Sequence, residues 1–146
     1  VVRVCCGPEK RGTIGVRVAA GLDEDLNNNP QPVMAEAKGL MKAWRRNLDP
    51  IFRGAPHLVM SVVPKRPMAE LDSAIALTYL ELAALTHNVG ACWAGYVTIV
   101  ARSYPPLQKL LGIGDNEVAA GGQMLGFIGL RPTAAAPRSP FPAHWL

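Results

Sequence analysis

The chain has 146 residues, of which 49% are hydrophobic and 18% charged, with a formal net charge of +4. A domain of this size buries roughly 70% of its unfolded surface. So apolar a chain is not disordered throughout, because disorder needs low hydrophobicity and high charge. The 15 basic and 11 acidic residues are scattered. The basic ones occur in pairs such as Arg45-Arg46 and Lys65-Arg66 rather than in longer runs. Aromatics are not interleaved with them, so no nucleic-acid partner is expected. The longest nearly charge-free stretch, residues 82–101, is interrupted by His87, Asn88 and two glycines. It does not read as a membrane span, and no membrane partner is expected. Cys5, Cys6 and Cys92 do not make a disulfide framework. A reducing, cytoplasmic compartment is the default.

The chain opens inside the apolar run Val1-Val2-Arg3-Val4-Cys5-Cys6, which reads as a buried strand. A domain rarely begins directly on a core strand, so its first elements are expected to lie upstream. Pro8 suits a helix start. A helix is predicted over residues 8–26, weakened by Gly12, Gly15 and Gly21. Residues 23–32, with three consecutive asparagines and two prolines, read as a surface loop. Met34, Ala37, Leu40, Met41 and Trp44 fall at helical spacing and predict a second helix over 33–46. Arg53-Gly54-Ala55-Pro56 is a turn. Residues 57–63, near-continuously apolar, read as a strand covered on both faces.

Residues 64–67 form a basic loop. The strongest helix is predicted over 68–87, with Pro67 at its start and Glu70 and Asp72 in its first turns, where they favour the dipole. Past those turns only Glu81 is charged. A helix apolar nearly all round is buried on all sides. A domain of this length does not readily wrap it alone, so part of it is expected in a subunit interface. Asn88-Val89-Gly90 ends the helix, with Asn or Gly in the left-handed position. Residues 91–98 read as a strand and 99–111 as a short helix interrupted by Pro105-Pro106. Residues 112–117 form a turn. Residues 118–127 form a further strand, and its Gly121-Gly122 marks a close approach to the backbone. Residues 129–146 carry prolines and no acid, and read as an extended arm with Trp145 as its anchor. Alternating strands and helices make the class α/β or α+β.

Little points to side-chain chemistry. The cysteines and histidines show no Cys-x-x-Cys or His-x-x-x-His spacing, so no metal is expected. Cys92, beside Trp93 in an apolar strand, reads as a buried and inert thiol. There is no Gly-x-Ser-x-Gly elbow and no phosphate loop. No residue is assigned an acid–base or nucleophilic role. Two features remain. The corner at residues 87–93 offers backbone N–H groups on small residues, against which a flat ligand would lie. The arm offers Arg131 and Arg138 to an anion. Their plainer readings are a helix cap and a solvated tail.

Several segments occur in register: Arg53-Gly54-Ala55-Pro56-His57-Leu58-Val59, residues 74–84, Val89-Gly90-Ala91-Cys92-Trp93, residues 107–113, Met124-Leu125-Gly126-Phe127 and Pro137-Arg138-Ser139-Pro140. From about Asn47 onward their order resembles the FMN-dependent nitroreductase family, and is most similar to the branch with a ferredoxin module ahead of the reductase domain. Residues 1–46 match more loosely. The resemblance implies a single α+β domain over 1–146, incomplete at its start. It further implies a mainly antiparallel sheet flanked by helices and an interlocked homodimer with a C-terminal arm over 129–146. Two FMN molecules would sit at the subunit interface.

In the family the turn after the long helix is usually Gly-Leu-Gly, with a backbone N–H facing the flavin. The matching residues here are Asn88, Val89 and Gly90. A basic residue of the tail reaches the FMN phosphate, and Arg138 is the matching position. The family's Arg-Arg-Ser-type segment and the ferredoxin cysteines have no counterpart in this sequence. The implied activity is transfer of hydride or electrons from NAD(P)H, or from a ferredoxin-type donor, to a nitroaromatic, quinone or related acceptor. The alternative is a non-catalytic remnant or dimerisation module that keeps the fold without competent FMN binding.

Overall fold

A computed structural model describes residues 2–6, 8–29, 34–129 and Thr133. The side chains of residues 2–9 lie outside that description. So do Arg131, Arg138, Trp145 and nearly all of the predicted arm.

Strand β1 (Val2–Cys6) leads into helix α1 (Pro8–Asn28). Helix α2 (Ala37–Trp44) follows, and then strand β2 (His57–Pro64). Helix α3 (Ala69–Thr86) runs directly into strand β3 (Val89–Trp93). Two short helices, α4 (Gly95–Ser103) and α5 (Pro105–Leu111), precede strand β4 (Glu117–Phe127). Among the described residues the strands form one sheet in the order β1-β2-β4-β3, paired antiparallel throughout. The class is therefore α+β.

The sheet is covered on both faces, as the unbroken apolar run of β2 requires. Leu58, Met60 and Val62 belong to a cluster with Ile14 and Val18 of α1 and Val97 and Val100 of α4. Val59, Ser61 and Val63 are also buried but stand outside that cluster, on the face occupied by α3. Period-two alternation of side chains separates the two sets.

Helix α3 buries Ala69, Ser73, Leu77 and Ala84, one stripe at helical spacing. That stripe lies tight on the sheet. A Cβ placed on Gly121 of β4 would stand 2.8 Å from Leu77 Cδ1 and 3.2 Å from Trp93 Cζ3. On the other face, a Cβ on Gly122 would collide with Met60 Sδ. The glycine pair thus marks close approach on both faces of β4. The larger side chains of α3 point away. Leu71, Ile75, Tyr79, Leu82 and Leu85 are each more than half exposed. The described residues do not bury α3 on all sides, and the uncovered side is the one open to the subunit interface expected above.

Several elements differ from their sequence readings: α1 runs on to Asn28, into the loop expected over 23–32, and the helix expected over 99–111 is divided between α4 and α5. The predicted strand 91–98 is strand only to Trp93, and it begins earlier, at Val89. From Gly95 the chain is helical. The run Val97-Thr98-Ile99-Val100 is β-branched and favours strand locally. Packing overrides that preference, because Val97, Val100 and Ala101 share one helical face and are buried in the main core. Thr98 Oγ1 donates to the Ala94 carbonyl at 3.0 Å, satisfying its hydroxyl within the helix.

Helix α1 meets α4 at Gly21, where an added Cβ would lie 2.5 Å from Val100 Cγ1 and 3.0 Å from Tyr104 Cγ. Gly21→Ala is expected to destabilise by about 1–3 kcal/mol through overpacking. That outweighs the roughly 1 kcal/mol gained in helix propensity. Gly12→Ala, with nothing within 4 Å of its Cβ position, is expected to stabilise by about 0.5–1 kcal/mol. Urea midpoints of the two variants, moving in opposite directions, are the check.

Candidate functional site

The corner after α3 is built by an asparagine. His87 N–H donates to Ala84 O at 3.0 Å and Asn88 N–H to Leu85 O at 3.2 Å, closing the helix. Asn88 then takes φ 57°, the left-handed position anticipated for it. Asn tolerates this conformation better than most non-glycine residues. Its carbonyl accepts from Ile128 N–H at 3.1 Å, which ties the corner to the end of β4. The chain then enters β3, an edge strand. Alternate backbone N–H and C=O groups of an edge strand point away from its neighbour.

Pairing of β3 with β4 sets Gly90 opposite Gly126 and Cys92 opposite Met124. These residues share a sheet face by the strand alternation, with Ala91, Trp93 and Gln123 on the other. The Gly90–Gly126 pair adds no side chain of its own to this face, and Pro56 packs over Gly126, where an added Cβ would stand 3.2 Å from Pro56 Cδ. A Cβ on Gly90 would touch only Ile128 Cγ1 at 3.4 Å and Gly126 O at 3.8 Å, both ordinary contacts.

The opposite wall is the turn before β2. Asp49 organises it, because one carboxylate oxygen accepts from Phe52 N–H at 2.8 Å and the other from Gly54 N–H at 3.1 Å. Arg53 N–H donates to Asp49 O at 3.0 Å, and Ala55 N–H to Phe52 O at 2.9 Å. Arg11 of α1 adds a bond from Nη1 to Ala55 O at 3.3 Å. Inside this frame Arg53 is held at φ 51° and Gly54 at φ 80°. Glycine adopts that region freely, whereas arginine does so at a cost.

Between turn and corner lies an open cavity of about 380 Å³. Its lining includes Phe52, Arg53, Gly54 and Pro56 on one side and Gly90, Ala91, Cys92, Met124, Gly126 and Phe127 on the other. A smaller hollow of about 190 Å³ adjoins it and shares Arg53, Cys92 and Met124. Of the predicted site residues, Gly90 lines the cavity. Asn88 and Val89 shape the corner beside it but are not in its lining, and Arg138 lies outside the described residues. Cys92 is exposed on the cavity wall, not buried as its apolar neighbours suggested. An edge strand over an open cavity leaves that face without cover.

Cys92 falls within the corner singled out from the sequence, whereas Arg53 and Met124 were not singled out as lining residues. For Arg53 the available signal was its place before Gly54 in a turn, where side chains project outward. Among the described residues no group of His, Cys, Asp and Glu is arranged to hold a metal ion. No described helix is long and apolar enough to cross a membrane.

An α+β chain with an antiparallel sheet, one long helix on one face and a cavity at the helix-to-edge-strand corner is the architecture implied by the sequence resemblance. The nitroreductase family model matches residues 4–127, and the chain belongs to the nitroreductase family. A nitroreductase from Bacteroides fragilis NCTC 9343, solved with bound FMN, superposes with a TM-score of 0.74 at 19% identity. That alignment covers 95% of this chain and 72% of the other. An FMN-bound nitroreductase from Desulfitobacterium hafniense DCB-2 gives 0.63 at 18% identity, over 94% and 70% of the two chains. An iodotyrosine deiodinase bound to FMN and 3-iodo-L-tyrosine gives 0.59 at 16% identity, over 99% and 74%. At these identities the likeness is one of fold. No curated protein is matched by the sequence.

Proposed function

We propose that this chain is a flavin-dependent oxidoreductase that holds FMN in the cavity at the Asn88-Val89-Gly90 corner. One observation carries the reading. The Gly90–Gly126 pair gives the cavity a floor with no side chains of its own beside an edge strand, open over Gly90 and bounded by Pro56 over Gly126, so a flat ring system has access to the backbone at Gly90. Its volume of about 380 Å³ falls in the usual range for small-molecule sites, about 300–1,000 Å³. The residues present fit an isoalloxazine. Gly90 and Ala91 would present main-chain groups to its edge, Met124 and Phe127 would cover its apolar part, and Arg138 of the arm would take the phosphate.

FMN, when bound, supplies hydride transfer from a reduced nicotinamide or electron transfer from a ferredoxin-type donor to an acceptor such as a nitroaromatic or quinone. The chain's own part is to bind, orient and exclude water. The Asn88 carbonyl bond to Ile128 N–H fixes the corner, and Asp49 fixes the facing wall. No side chain is assigned proton transfer. We place the chain in the cytoplasm, as one domain over 1–146 with a C-terminal arm over 129–146, interlocked with a second copy that covers the exposed face of α3. FMN bound at each of the two corners would then sit at the shared interface.

The test is an FMN titration followed by visible absorbance and quenching of flavin fluorescence. Uptake of one flavin per chain is the expected result. A preparation that stays colourless and gains no bound flavin overturns the reading. It would leave the α3 face as the basis of a non-catalytic dimerisation module.

A further inference from the structure

We infer that Arg53 recognises an anionic group on the small molecule that enters the cavity beside the flavin, and that the acceptor is an aromatic acid. This deepens the proposed function and rests on it for the identity of the acceptor, although not for the binding itself.

Arg53 borders both the larger cavity and the adjoining hollow. It is the charged residue among the described residues lining either one. The remaining walls are glycine, alanine, proline, Ile51, Phe52, Met124, Phe127, Cys92, Trp93 and Tyr96. A space with apolar and aromatic walls and one guanidinium suits a ligand with an aromatic body and one carboxylate, because Arg pairs with planar anions through two parallel N–H donors.

The guanidinium is available for this. Arg53 is exposed, and its side chain makes no hydrogen bond or ion pair among the described residues. Its backbone is the second observation. At φ 51° Arg53 sits where glycine would be less strained. Asp49, accepting from the amides on either side of it, holds the residue there. The strain is local and the side chain it displays contributes no hydrogen bond or ion pair among the described residues, so polar stabilisation does not account for an arginine at this place. A ligand does.

The same anion chemistry would serve the phosphate of FMN, and the experiment separates the two. Benzoate and benzyl alcohol, neither of which is turned over, are titrated calorimetrically into the flavin-loaded protein and its Arg53→Gln and Arg53→Gly variants. FMN and riboflavin are titrated into the same three proteins. Arg53→Gly relieves the left-handed residue and is expected to hold or raise Tm, which removes misfolding as an explanation.

The expected result is a fall of about tenfold or more in the benzoate-to-benzyl-alcohol affinity ratio in both variants, the size of a lost charge-assisted hydrogen bond. FMN and riboflavin affinities should move together. An unchanged ratio overturns the proposal. A selective loss of FMN relative to riboflavin also overturns it, because the cation would then serve the cofactor's phosphate. If the parent chain takes up no flavin, the proposed function fails separately. The benzoate ratio is then read on the flavin-free chain and still decides the role of Arg53.

Discussion

Leu82→Asp is expected to leave the chain folded and to abolish its self-association, whereas Leu77→Asp is expected to unfold it. Both leucines lie on α3, five residues apart on different faces. Leu77 is fully buried against the sheet, over Gly121. A carboxylate there would be desolvated with no partner, a penalty of several kcal/mol and comparable to the whole stability of a domain. Leu82 is 59% exposed and falls in a stripe with Leu71, Ile75 and Leu85. Each is already about half covered, so seating a second copy on it would contribute about 1 kcal/mol, half the value for full burial, and the stripe as a whole suits the proposed pairing of two copies. An aspartate in its middle would be buried unpaired on association and harmless in the free chain. Sedimentation at several concentrations, alongside far-ultraviolet circular dichroism, reads the two effects separately. A Leu82→Asp protein that sediments like the parent sinks the interface on α3.

The second large effect is expected at Gly90. Gly90→Ala should be tolerated, since its Cβ would meet Ile128 and Gly126 at ordinary distances. Gly90→Trp should fill the cavity. The main chain left open at Gly90 is the feature that admits a flat ring, and an indole standing on it occupies the same volume. FMN affinity is then expected to fall on the order of a hundredfold, equivalent to about 3 kcal/mol. Thermal stability should stay within a few degrees, because the edge strand has room on that side. Unaltered FMN affinity in Gly90→Trp places the flavin elsewhere.

The elements differ in how plainly the chain announces them. Strand β2 is legible because six consecutive buried residues are all small-to-medium and mostly apolar, a run that only a doubly covered strand accommodates. Asn88 is legible because a short polar residue between a helix and an apolar run has few other uses. Helix α4 is not. Its β-branched run favours a strand until the surface of α1 at Gly21 is in place to receive Val100. Gly21 was read as a helix weakener, and it is a weakener; its purpose is the close contact, which local propensity does not encode.

The site divides the same way. Gly90 follows from a corner of small residues. Arg53 needs the fold, because residues 49–54 and 90–92 are about forty positions apart and meet only when β2 and β3 flank β4. Cys92 was misjudged for the same reason: apolar neighbours in sequence suggest burial, while a place on the edge strand denies it.

Local composition and periodicity therefore sufficed for a mixed class, α/β or α+β, for the long apolar helix and for the left-handed corner, since each depends on residues within a turn or two of one another. Strand order, the helical state of residues 95–103, the wall facing Gly90 and the uncovered side of α3 depend on surfaces meeting across long loops. Burial is a property of those meetings, and no window along the chain contains it.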